Sequence, residues 1–141
     1  MRYVVDASIV YDWLIPENAA ALSRALWERF RGAGPDRVHA PLLLQSEVVN
    51  TVVRDELKRG RPAAVVRSLI RTFAGYRIHW QADPLPATRL AELRLAGLTG
   101  QDATYVAFAQ ALRLPLATVD ERLARVLRAW RGGPALVALR D

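Results

Sequence analysis

Residues 3–10, YVVDASIV, run apolar as far as a carboxylate and then turn straight into a second apolar run. The stretch reads as a short strand, an aspartate at its carboxyl end, and the start of the helix-like ASIVYDWL. Near the other end of the chain PLATVDERL (115–123) does the same, with Asp120 between a strand-like run and the helix-like ERLARVLRAW. One such aspartate has an ordinary explanation, because Asp at an N-cap accepts a bond from a first-turn N–H. Two of them at equivalent places invite a shared one.

Between these points β-like runs alternate with stretches of helical period. The runs are RYVV (2–5), RVHA (37–40), RIHW (77–80), PLATV (115–119) and ALVAL (135–139). Helical stripes fall at Leu22, Leu26 and Phe30, at Val65, Val66, Leu69, Ile70 and Phe73, and at Leu123, Val126, Leu127 and Trp130. The gaps from Val5 to Arg37 and from Ala40 to Arg77 each have room for two helices. RGAGPD (31–36), KRGRP (58–62), LAGLTGQ (95–101) and RGGP (131–134) punctuate the pattern with Gly and Pro. Strands separated by helices imply an α/β fold, a parallel sheet with helices on both faces. Ligands of such sheets bind beyond the carboxyl ends of the strands, where the strand order reverses. Asp6 and Asp120 both stand at such ends.

With 141 residues, no repeat and no linker, the whole of 1–141 is expected to be one domain with a proper core. Residues that are hydrophobic make up 52% and charged ones 24%, which excludes a disordered chain. No apolar stretch approaches the roughly 18 residues of a membrane span. The start lacks the pattern of a signal peptide, and there is no cysteine. This fits a cytoplasmic protein, and excludes thiolate catalysis and Cys-based zinc sites. The net charge of +6 suits a polyanionic partner. Nineteen of the twenty basic residues are Arg, with Lys58 the exception, which is also what a GC-rich genome writes.

Two further acids deserve the same scrutiny. Asp102, in TGQDATYVAFAQAL, extends by one turn the apolar face made by Tyr105, Phe108, Ala109 and Leu112, so it caps that helix or points into a site. Glu47 begins the polar line Glu47, Asn50, Thr51 and Arg54 on an otherwise greasy helix (40–60). That line faces solvent or borders the same cleft. If all four acids converge, two carboxylates about 5 Å apart repel by roughly 3 kcal/mol at an effective dielectric near 20. They would protonate in part unless a cation intervened. Oxygen donors without sulfur or imidazole suit Mg²⁺ or Mn²⁺, the apparatus of phosphoryl chemistry. Setting these four aside leaves ten acidic residues against twenty basic ones: a small acidic cavity in a basic body.

VVDAS, SEVVN, GQDATYVAFA and LATVDERL resemble, in order and spacing, the four acidic motifs of PIN-domain ribonucleases, above all the VapC toxins of toxin–antitoxin pairs. The resemblance runs through the whole chain. It implies a three-layer α/β/α domain with a parallel five-stranded sheet and about seven helices. It also implies that Asp6, Glu47, Asp102 and Asp120 are catalytic and bind Mg²⁺ (or Mn²⁺). Ser8 and Thr118 match the hydroxyl positions of the first and last motifs, where a hydroxyl can orient a carboxylate, and Asn50 matches a polar partner of Glu47. The implied activity is endoribonuclease action as a toxin: in-line attack of metal-activated water on RNA, leaving 5′-phosphate and 3′-hydroxyl ends. The implied partners are RNA, a small antitoxin and a second copy in a homodimer. The competing reading is a non-catalytic RNA-binding PIN domain. A phosphatase with a strand-end Asp nucleophile is disfavoured, because Ser8 stands where such enzymes have a second Asp and a partner Lys is lacking.

Other features are read as structural. His39 and His79 are isolated, GAGP (32–35) is a helix stop, KRGRP is a solvated turn, and Asp12 and Glu17 are surface acids. Trp13, Trp27, Trp80 and Trp130 are read mostly as core or interface residues.

Overall fold

The computed structural model describes residues 1–32, 34, 36–82 and 84–138. The elements run β1 (Arg2–Val5), α1 (Ala7–Leu14), a 3₁₀ turn (Pro16–Asn18), α2 (Ala21–Arg31), β2 (Arg37–Pro41), α3 (Leu43–Lys58), α4 (Ala63–Ala74), β3 (Ile78–Gln81), α5 (Ala87–Leu95), α6 (Gly100–Leu112), β4 (Leu116–Ala117) and α7 (Glu121–Ala129). Both long gaps hold two helices, and seven α-helices stand among the described residues. The strands form one parallel sheet in the order β3-β2-β1-β4.

Consecutive residues of a strand face opposite sides of a sheet. Tyr3, Val4 and Val5 in β1, and Val38, His39 and Ala40 in β2, are all buried, so both faces are covered. Helices α1 to α4 pack on one another, with α1 and α3 against β1 and β2; α6, paired with α5, packs on β1, β2 and β4. On the first side Trp13 stacks on Phe30 at 4.6 Å between ring centres, with Trp27 and Tyr76 beside it, and donates Nε1–H to the Ser23 carbonyl at 2.9 Å. The turn between α3 and α4 passes through Gly60 at φ +73°, a conformation glycine takes without a Cβ penalty.

Among the described residues the sheet has four strands where five were expected. Of the described part of ALVAL, 135–138, Leu136 alone bridges to the sheet, in parallel with Leu116. Leu116 takes both bonds, donating to the Ala135 carbonyl at 2.8 Å and accepting from Val137 N–H at 3.0 Å. β4 is too short to carry more. Pro115 precedes it without an N–H, and at Thr118, where the next rung would fall, the chain leaves the sheet for the turn that presents Asp120. Leu139 lies outside the described residues, as do Ala33 and Pro35 of GAGP; Gly32 does cap α2.

The helical stripes are narrower than their periodicity suggests. Val66 and Phe73 are buried but Val65 is exposed; Leu123 and Leu127 are buried but Val126 is exposed. Asp12 is more than a surface acid, accepting a bond at 3.0 Å from the N–H of Ala20, the residue that opens α2. The KRGRP turn also has a structural task, since Arg59 and Arg61 reach the buried Glu56 at 3.2 and 3.6 Å. His39 is buried and stacks on His79 across β2 and β3 at 5.0 Å. Among the described residues no helix is long and apolar enough to cross a membrane.

Candidate active site

The strand order reverses between β1 and β4, and the crevice beyond their carboxyl ends holds the first and last motifs. Asp6 leaves β1 while its N–H still reaches the Ala117 carbonyl of β4 at 3.3 Å. It is the N-cap of α1, only 5% exposed. Its Oδ1 accepts from Ser8 N–H at 3.0 Å, Ile9 N–H at 3.3 Å and the Ser8 hydroxyl at 2.5 Å. The capping explanation is therefore correct, but it accounts for one oxygen. Burial pushes the Asp6 carboxyl up to about 6, against the pull of the Ser8 and Thr118 hydroxyls and the Ile9 and Ser8 N–H groups.

Two hydroxyls tie the strand ends together. Ser8 Oγ accepts from Val119 N–H at 3.1 Å and lies 3.4 Å from Thr118 Oγ1, which accepts from Asp120 N–H at 3.1 Å. Asp120 caps α7, its Oδ1 accepting from Arg122 N–H at 2.9 Å and Leu123 N–H at 3.1 Å.

The middle two acids come in from the helices. Glu47, in the second turn of α3, accepts from the Tyr105 hydroxyl at 3.1 Å through Oε2, while Oε1 is buried with no partner among the described residues. Burial raises the Glu47 carboxyl above its ordinary range; the Tyr105 bond opposes this, and the nearby charges of Asp6 and Asp102 add to it. Tyr105 is raised in turn by burial and by the same three carboxylates. Asp102, in the first turn of α6, donates its N–H to the Thr99 cap at 3.1 Å. Its side chain, 14% exposed, accepts from the Arg122 guanidinium at 2.7 Å.

The Tyr105 hydroxyl thus bonds Glu47, with Asp6 and Asp102 near enough for their charges to act on both groups. Ser8 and Thr118 link the ends of β1 and β4, and Arg122 links Asp102 to Asp120. Of the polar line on α3, Glu47 bonds a site residue; Thr51 is half-buried, and Asn50 and Arg54 are exposed. Two participants were not read from the sequence. Tyr105 belongs by periodicity to the apolar face of α6, and its place one turn beyond Asp102 brings its hydroxyl to Glu47. Arg122 carried a weaker signal, two residues after Asp120 in the first turn of α7.

The donor set is wholly oxygen, burial and the charges of Asp6 and Asp102 raise the Glu47 carboxyl, and Glu47 Oε1 has no partner among the described residues. These features fit a hard divalent cation. Among the described residues, no three acids or histidines are already set round a common point for an ion; Asp102 turns an oxygen to Arg122 instead.

A strand-end aspartate at the switch point of a parallel sheet, with acids of α3 and α6 close enough to feel one another's charge, defines an acidic-site α/β protein. The PIN domain family model matches residues 3–128, and the chain belongs to that family. It is similar to Ribonuclease VapC12 of Mycobacterium tuberculosis, 32% identical over 132 residues that cover 86% of this chain and 89% of that one. Among solved structures it resembles PAE2754 from Pyrobaculum aerophilum, with TM-score 0.62, 24% identity, and 96% and 84% of the two chains covered. It also resembles VapBC2 from Rickettsia felis bound to a promoter DNA fragment, with TM-score 0.60, 16% identity, and 89% and 93% covered. A third is VapC20 of Mycobacterium tuberculosis, a Sarcin-Ricin loop cleaving toxin, with TM-score 0.62, 13% identity, and 88% and 94% covered. These structural likenesses establish the shared fold.

Proposed function

We propose that this chain is a Mg²⁺-dependent endoribonuclease, with Mn²⁺ as an alternative ion, acting as the toxin of a toxin–antitoxin pair. The observation that supports it is the buried Asp6 at the end of β1, close enough to Glu47 of α3 and Asp102 of α6 for the three charges to interact, with Glu47 Oε1 without a partner among the described residues. RNA as substrate is supported by similarity to a ribonuclease, and a small antitoxin partner by likeness in fold to a toxin–antitoxin complex from Klebsiella pneumoniae. A homodimer and a cytoplasmic location are further expectations of the family resemblance.

Asp6, Glu47, Asp102 and Asp120 would hold the ion. Bound there, it supplies Lewis-acid activation of water and offsets charge on a phosphodiester oxygen. The chain's own part is orientation. The Ser8 hydroxyl and two N–H groups fix Asp6 Oδ1, which leaves its other oxygen to serve the ion. The Tyr105 hydroxyl fixes Glu47 Oε2 in the same way. Thr118 fixes the backbone that presents Asp120. With the four acids set aside, the remaining ten acidic residues face twenty basic ones, and this positive body round the acidic crevice draws a polyanion to it.

The test is incubation with a mixture of structured and single-stranded RNAs, with Mg²⁺, with Mn²⁺ and with EDTA. Cleavage is expected with either ion, reduced about a hundredfold or more by EDTA, and leaving 5′-phosphate and 3′-hydroxyl ends. Undiminished cutting in EDTA, or 2′,3′-cyclic phosphate ends, would overturn the hydrolytic reading. RNA binding without cutting under every condition would favour the non-catalytic reading.

A further inference from the structure

One residue touches two of the four acids. The backbone N–H of Arg122 donates to Asp120 Oδ1 at 2.9 Å, and its guanidinium holds Asp102 Oδ2 at 2.7 Å. The guanidinium side chain is 58% exposed while the carboxylate it holds is 14% exposed, so the cation reaches inward from solvent over the acid. Its position is also fixed. Asp120 caps α7 through the Arg122 and Leu123 N–H groups, which pins the first turn of that helix, and with it the origin of the side chain.

We propose that Arg122 is a built-in counter-ion lock on the acid cluster: it neutralises Asp102 while no divalent cation is bound and must release it before one is taken up. This rests on the metal-dependent reading of the site and adds a control on that site. A carboxylate oxygen engaged at 2.7 Å by a guanidinium is not available as a ligand. A unit positive charge at that distance from a ligand oxygen also repels an arriving divalent ion. Both effects weaken metal binding. The exposure of the guanidinium keeps the lock modest, so that it tunes affinity without closing the site.

The experiment is Mn²⁺ titration calorimetry on metal-free protein, comparing wild type with Arg122→Gln and Arg122→Lys, and following thermal unfolding of each. Arg122→Gln is expected to bind Mn²⁺ about fivefold more tightly, with a slightly lower melting temperature before metal is added. Arg122→Lys, which keeps the charge, is expected to stay within about twofold of wild type. If wild type binds Mn²⁺ and Arg122→Gln binds it equally or more weakly, the lock is wrong and the site reading stands. If neither protein binds Mn²⁺, the metal-dependent reading fails and the lock fails with it.

Discussion

Asp6→Asn is expected to reduce RNA cleavage about a thousandfold or more while making the metal-free chain more stable at neutral pH. Asparagine keeps an acceptor where Oδ1 caps α1, so the bonds from Ser8 and Ile9 N–H survive, and only the charge is lost. The stability gain follows from the direction of the shift. The carboxyl titrates near its ordinary 3.8 when unfolded and at about 6 when folded. The folded state therefore holds this proton more tightly. Its favourable contribution is complete below the unfolded value and is lost as pH rises through the folded one. Above pH 6 the buried charge costs up to about 3 kcal/mol, which the neutral variant avoids. The two proteins should melt together near pH 4, and the variant should be ahead by pH 7.5, at about 2–4 °C for each kcal/mol. Mg²⁺ should narrow the gap by stabilising wild type alone. Thermal unfolding from pH 4 to 8 checks this; a variant less stable than wild type at pH 7.5 would contradict the account of Asp6.

Trp13→Ala is expected to cost about 3–5 kcal/mol, a large part of the roughly 5–15 kcal/mol that a domain has in total. Trp13 is the member of α1 in the aromatic group that joins this helix to Trp27 and Phe30 of α2 and to Tyr76 beyond α4. Removing it leaves a large cavity and strips the Ser23 carbonyl of the indole N–H. Trp13→Phe should lose less, about 1–2 kcal/mol, because a ring can still meet Phe30. The same helix carries the Asp6 cap at its other end, so loosening α1 should lower RNA cleavage as well as stability. Urea unfolding gives the numbers; a loss below about 1 kcal/mol for Trp13→Ala would show that this cluster does not hold α1 in place.

The strand ends were legible because a carboxylate closing an apolar run is a local signal, and YVVDAS and LATVDE carry it within a few residues. The parallel order followed from the alternation of periods. The fifth strand misled for a complementary reason. ALVAL alternates as a strand should, but its pairing depends on β4, and β4 ends at Ala117 so that Thr118 can serve the site. The stripes gave a direction without a width. Val65 and Val126 belong to the pattern yet lie beyond the edge of what their helices bury. Within the site, each acid could be picked out singly, whereas the partners could not. Tyr105 meets Glu47 across 58 positions and Arg122 meets Asp102 across 20, contacts fixed by helix packing that no local spacing encodes.

The central claim is that acids presented by two strand ends and two helices act as one site, and a double-mutant cycle on RNA cleavage tests it most directly. Asp6→Asn, Asp120→Asn and the double variant would be assayed against wild type, each first checked for folding. Groups that act as a unit are strongly non-additive, so the double variant should cleave no more slowly than the poorer single variant. Losses that multiply would mean that the two strand-end aspartates act independently, and would contradict a single four-acid site.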